Sequence, residues 1–505
     1  DWHVPPVQAM PEFETLVLRG TLAEEGLERP RELLERKVLP VYLCNRRWFA
    51  AKDQGIDAVR IAYSLPLAGA DGDLLMSEVD VALGPDGSRH ERYLLPLGIA
   101  WEAEDLPALP QQLALTRVRR GRNVGFLTDA FAAPTLASAV VTAMKAGTRL
   151  QTPDGEIRFE ATDWMARIGM DGEQPVRWLS AEQSNSSLVI GNTAVLKLVR
   201  RITPGINPET EMGRHLTTLG YGNIAPLLGE VVRVDDQGVP STLMVLQGFL
   251  QNQGDAWRWT LDYLHRTFDE FRLTPPDEDR HEELLCGYDA FATAVGRRLG
   301  ELHQALALPS DDPAFAPEDA GDAQITDWVE SARTQLERAF RALGGVESPS
   351  PAQQHLMSLR PRLEPLLRRL ASAAPGALLT RVHGDFHLGQ ILVVQDDAYL
   401  IDFEGEPARP PEERRARTSP LRDVAGFLRS LDYAAAMLER GEEGVAPAVD
   451  ERSAEFLAAF RQRSGGHFRA AYLKVLQETA RPWAQPDAVG PLLALFLIEK
   501  GAYEI

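Results

Sequence analysis

His383-Gly384-Asp385-Phe386-His387-Leu388-Gly389-Gln390, running on through Ile391-Leu392-Val393-Val394 to Ile401-Asp402-Phe403-Glu404-Gly405-Glu406, is the stretch on which the reading of this chain turns. Asp385 stands in a loop punctuated by Gly384 and Gly389, and five residues after it comes Gln390, a neutral oxygen donor. Two apolar runs, Ile391 to Val394 and Tyr399-Leu400-Ile401, flank the turn-forming Gln395-Asp396-Asp397 and predict a short hairpin. A second carboxylate, Asp402, ends the second strand. Moving a phosphoryl group needs a carboxylate to take the proton of the attacking hydroxyl, and oxygen ligands to hold Mg²⁺ against nucleotide phosphates. The spacing therefore marks Asp385 as the candidate base and Gln390 and Asp402 as candidate metal ligands.

With those residues in hand, the sequence resembles the aminoglycoside-phosphotransferase-like branch of the protein-kinase-like superfamily. Within that branch, HGDFHLGQIL with IDFEGEPARP is similar to the maltokinases, and so are Ser419 to Ser430 and the closing Glu499-Lys500-Gly501-Ala502-Tyr503-Glu504. Gly501 departs from the Ala usual there and weakens the helix. The resemblance covers the chain from about residue 31 onward. It implies an α+β, bilobal kinase-like fold with an N-terminal cap, a β-rich nucleotide lobe and a mainly helical C-terminal lobe. It also implies a cytoplasmic, ATP- and Mg²⁺-dependent enzyme that phosphorylates maltose to maltose 1-phosphate for α-glucan and trehalose metabolism. A trehalose synthase would be its partner or fused domain. The rival readings are a phosphotransferase for an aminoglycoside or choline-type substrate, and a non-catalytic module that binds a partner enzyme.

The remaining site residues follow from the same frame. In Thr193-Ala194-Val195-Leu196-Lys197-Leu198-Val199, Lys197 shares a strand face with Val195 and Val199, an awkward place for a charge unless an anion lies opposite. The kinase pattern makes it the phosphate-binding lysine. Ser184-Asn185-Ser186-Ser187 is expected as a loop covering the phosphates in place of a Gly-rich one. Asn207-Pro208 opens a helix in which Glu211 is the expected partner of Lys197, with Glu209 the alternative. The apolar strand from Ser241 ends near Gln247, where a hinge would meet adenine. His387 either hydrogen-bonds the sugar or buttresses the loop, and Glu404 adds a metal contact or supports one. By resemblance, Lys500 and Tyr503 contact the sugar; three apart on a helix, they share a face.

Bulk properties bound the alternatives. A chain of 505 residues suggests about two to four domains. Its formal charge of −20 argues against nucleic acid and anionic membrane as partners. Cys44 and Cys286 are too few for a disulfide framework or a zinc site. No stretch approaches the roughly eighteen apolar residues of a membrane span.

Taken in order, residues 1–30, with Pro5-Pro6 and Pro11, are expected to be a linker or the end of a preceding domain. Residues 31–130 form the cap, with alternation at Val59, Ile61, Tyr63 and Leu65 giving one of its strands and Arg117 to Arg122 a solvated basic loop. Trp48, in the cluster Arg46 to Lys52, is read equally as structural or functional. The nucleotide lobe spans 131–254 and the helical lobe 255–505, where His303 lies beside a helical Leu stripe and Asp423 sits in the first turn of a helix starting at Ser419-Pro420.

Overall fold

Strand alternation in the first half of the chain and helical periodicity in the second produce two compact units, Asp1–Thr210 with Pro226–Phe249, and Glu211–Ala225 with Leu250–Ile505. The computed structural model describes all residues except 1–13, 70–71, 85–86, 103–107, 171–173, 180–184, 274, 276–279, 347 and 441–449. The fold class is α+β.

The first unit holds two sheets. One runs in the order Thr15–Leu18, Ala114–Arg120, Asn123–Asp129, Leu97–Trp101, Leu74–Leu83, Arg89–Leu94 and Arg201–Ile202, with Ile56–Pro66 also paired to Leu74–Leu83. Val59, Ile61, Val79 and Val81 bury their shared face against Trp48, Phe49 and Leu43. Two expectations are corrected here. Thr15–Leu18 is no linker but an edge strand, parallel to Arg117–Arg120 some hundred residues away, a pairing local pattern cannot show. Nor is the basic run a solvated loop: Arg120 makes a bidentate pair with buried Asp73 at 2.8 and 2.9 Å and lies over the Trp101 ring.

The second sheet is antiparallel throughout, in the order Val176–Trp178, Asn185–Ile190, Ala194–Val199, Pro240–Gly248, Leu227–Asp235, Gly155–Ala161 and Arg149–Thr152. The helix Pro134–Ala146 covers one face with Leu136, Val140 and Met144. Arg200, fully buried, ties this sheet to the first: it pairs with Asp129 at 2.8 Å, donates to Ser186 Oγ at 2.8 Å, and sits between the Trp48 and Phe131 rings. Trp48 is thus structural.

The second unit is helical around one core. Its tightest joint is between Asp289–Leu306 and Glu451–Glu478. A Cβ on Gly296 would lie 2.1 Å from the Phe468 carbonyl oxygen, and one on Gly300 2.9 Å from Val475 Cβ. Gly296→Ala is therefore expected to cost about 1–3 kcal/mol by overpacking, read as a lowered urea midpoint; a midpoint equal to the native one would refute the tight contact. Among the described residues, no helix is long and apolar enough to cross a membrane.

Candidate active site

The hairpin forms as expected. Ile391–Val394 pairs with Asp397–Leu400, and Gln395 and Asp396 both take positive φ, the requirement of a two-residue primed turn. Ile401 N–H then donates to the Gln390 carbonyl at 3.0 Å, setting Asp402 just beyond the strand with φ of 65°. A non-glycine residue in that region stores strain that the surroundings must hold. Part of that hold is His383, whose Nε2 donates to the Ile401 carbonyl at 2.8 Å while its ring packs on Phe386 and Phe403.

Asp385 is held through its backbone neighbours. The buried Asp423 carboxylate, in the first turn of the helix Leu421–Arg440, accepts the His383 N–H at 2.8 Å and the Gly384 N–H at 2.9 Å. It also accepts from His303 Nε2 at 3.0 Å; His303 Nδ1 meets Tyr472 Oη at 2.8 Å, and Tyr472 accepts from Trp483 Nε1 at 2.7 Å. Burial alone would raise the Asp423 pKa, but the His303 hydrogen bond and the loop N–H groups outweigh it and hold the carboxyl below its usual value. Gly384 and Gly405, both at positive φ, bring the two loops together: a Cβ on Gly384 would stand 3.3 Å from Gly405 Cα. Gly426 is equally constrained, since its Cβ would meet the Phe386 carbonyl oxygen at 2.5 Å.

Around the Asp385 carboxylate, Lys500 Nζ lies 3.9 Å from one oxygen and His387 Nε2 3.9 Å from the other. The Gly389 N–H donates to His387 Nδ1 at 3.0 Å, so the imidazole proton is on Nε2, facing Asp385. Burial pushes the His387 pKa below its ordinary value, against the upward pull of Asp385 and Asp402. The ring is neutral at pH 7. Asp385 stands in the wall of a cavity of about 340 Å³, within the ~300–1,000 Å³ usual for small-ligand sites. Eight residues between Gly405 and Thr418, Gln335 and Arg338 of the helix Asp322–Gly344, and Glu499, Lys500 and Tyr503 of the last helix, Pro486–Tyr503, also line it. Lys500 and Tyr503 do share a face, with Nζ 5.4 Å from the ring centre. The neighbouring Glu406 carboxylate pushes the Tyr503 hydroxyl pKa up. Glu406, not the expected Glu404, lines the cavity; His387 touches Asp385 without lining it.

In the first unit, Lys197 alternates with the buried Leu196 and Leu198 and shares its strand face with Val195 and Val199, a face that is half-buried. Its partner is Glu209, not Glu211: Lys197 Nζ meets Glu209 Oε2 at 2.7 Å. Asn207 caps the helix Pro208–Leu219 by accepting the Glu209 and Thr210 N–H groups, and Gln247 Nε2 reaches Glu209 Oε1 at 3.4 Å. Gln247 therefore supports the glutamate. Glu211 pairs instead with Arg381 and Arg415. The polar run is corrected as well: Asn185, Ser186 and Ser187 belong to a strand, with Ser186 spent on Arg200 and only Ser187 registered opposite Lys197. Ser184 lies outside the described residues.

Among the described residues, no three His, Cys, Asp or Glu side chains form a metal cage of their own. One carboxylate and one amide, Asp402 and Gln390, suit an ion that takes most of its ligands from phosphates and water, as Mg²⁺ does.

Comparison with known proteins bears on the cap and the fold. Residues 42–132 match the family model described as the maltokinase N-terminal cap domain. A solved glucosamine kinase in complex with glucosamine, ADP and inorganic phosphate superposes with a TM-score of 0.59 at 21% identity, covering 92% of this chain and 93% of that one. The chain joins a maltokinase-type cap to a kinase-like fold. A second solved glucosamine kinase gives the same TM-score at 22% identity, over 88% and 86% of the two chains. Among curated relatives, a glucosamine kinase of Streptacidiphilus jiangxiensis is 27% identical over 317 residues, 61% of this chain and 66% of that protein. One of Mycolicibacterium smegmatis is 29% identical over 278 residues, 55% and 62% of the two. The matched stretches thus span under two thirds of either curated relative, while the kinase-like architecture extends over nearly the whole chain.

Proposed function

We propose that this chain transfers the γ-phosphate of ATP to a sugar hydroxyl, and that the sugar is maltose, phosphorylated at its anomeric oxygen to maltose 1-phosphate. The observation that carries the reading is Asp385 in the wall of a sugar-sized cavity, with Lys500 and Tyr503 beside it on one helix face. Asp385 accepts the proton as the acceptor oxygen bonds to phosphorus and the β–γ bridging bond breaks, leaving ADP. His387, with Nε2–H toward Asp385, and Lys500 each stand 3.9 Å from one of its oxygens, beside the carboxylate that takes that proton. Lys197, oriented by Glu209, binds nucleotide phosphates. Gln390 and Asp402 hold Mg²⁺, which when bound neutralises phosphate charge. A sugar 1-phosphate product would feed α-glucan assembly, with a trehalose synthase as the partner such a supply implies.

Glucosamine is the second reading, favoured by the names of the relatives. The test is ADP release from Mg-ATP with maltose, glucosamine, glucose, trehalose and kanamycin as separate acceptors, with the product located by phosphorus–carbon coupling in NMR. Maltose turnover with phosphate on the anomeric carbon is expected. Turnover with glucosamine alone would replace maltose by the amino sugar, and turnover with kanamycin alone would discard the sugar reading.

A further inference from the structure

The loop from Glu406 to Thr418 contributes much of the cavity wall, including Glu406, Arg409, Glu413, Arg414 and Thr418. A loop that shapes a substrate cavity needs fixing, and its exposed length offers little apolar burial to do so. Three arginines supply the hold. Arg414 donates to the Pro407 and Arg409 carbonyls, closing the loop on itself, and Arg417 donates to the Pro313 and Ala316 carbonyls. Arg415 makes a bidentate pair with Glu211, at 2.9 Å from Nε and 2.5 Å from Nη2.

Glu211 is well placed to be an anchor. It also receives buried Arg381 at 2.6 Å, and the Arg381 guanidinium lies over the Phe315 ring, on whose face His215 stacks at 3.7 Å. Burial would raise the Glu211 pKa, but Arg415 and Arg381 hold it lowered, so the pair stays charged at neutral pH. Arg381 adjoins Thr380, which exchanges backbone hydrogen bonds with Thr418 at the far end of the loop, and lies four residues before Asp385. One carboxylate thus ties Arg415 of the loop to Arg381, in the segment that leads to the candidate base.

We infer that Glu211 and Arg415 form a positioning clamp that sets the shape of the acceptor cavity by fixing residues 406–418. This rests on the sugar-acceptor reading of that cavity. Arg415→Met is the informative variant because it releases the loop while leaving the buried Glu211–Arg381 pair intact; Glu211→Gln would strip a buried cation of its partner as well. Backbone hydrogen exchange across residues 406–418 is expected to speed up by about tenfold or more in Arg415→Met, the worth of a charge-assisted bidentate contact. The KM for the accepted sugar should rise by a similar factor, and the KM for ATP should stay within about twofold, a split that general loss of stability would not produce. Unchanged exchange in 406–418 would overturn the clamp, and an equal rise in both KM values would overturn its acceptor-side role. If the native chain phosphorylates no sugar, the proposed function fails while the exchange result still judges the clamp.

Discussion

Asp385→Asn is expected to lower kcat for sugar phosphorylation by about 10²–10⁴-fold, the usual worth of a positioned general base, without unfolding the chain. Asn matches the shape of Asp but cannot accept the acceptor's proton, and the favourable field of Lys500 and His387 then acts on a neutral group. The loop should keep its form because its backbone hangs on Asp423, while the Lys500 and His387 nitrogens stand 3.9 Å from the Asp385 carboxylate. Steady-state kinetics beside a thermal melt would read both. A loss under tenfold with an unchanged melt would remove Asp385 from the role of base.

Asp423→Ala should act on the scaffold instead. It strands three donors, the His383 and Gly384 N–H groups and His303 Nε2, around a carboxylate that is itself buried, and the expected cost is about 3–5 kcal/mol, as for a broken buried pair. The pH dependence has a definite sign. Because the folded pKa of Asp423 is lowered, the unfolded chain binds the extra proton, so the stabilisation is present above the unfolded carboxylate value of about pH 4 and fades as acid is added below it. Urea titrations at pH 7 and pH 3 should show the native chain losing stability across that interval by more than Asp423→Ala does. Equal slopes would mean that Asp423 is not the acid-sensitive anchor.

What the sequence revealed was local. The hairpin after the Asp385 loop and the strand that carries Lys197 are legible because loop punctuation, two-residue alternation and turn chemistry operate within a few residues. Choices between near neighbours were not legible. Glu209 and Glu211 both open the same helix, and only the packing around it decides which meets Lys197 and which meets Arg381. Ser186 has the neighbours of a loop residue, yet Arg200, fourteen positions on, satisfies its hydroxyl inside a strand. Arg200 itself left no signal, since a buried arginine between two aromatic rings looks in sequence like any other cation. The chain Asp423, His303, Tyr472 and Trp483 likewise joins residues 180 positions apart at its extremes, each unremarkable alone.

The 3.3 Å gap between a Cβ at position 384 and Gly405 Cα also bears on how this chain could change. A methyl at 384 would press on the Gly405 backbone and one at 405 on Arg414, each at a positive φ that disfavours a side chain, so selection for a new acceptor has little freedom there. Variation is open instead at cavity-lining side chains that are exposed, such as Ala408, Arg409 and, on the last helix, Tyr503. A laboratory library aimed at substrate range would randomise those positions and leave 384, 405 and 426 as glycine.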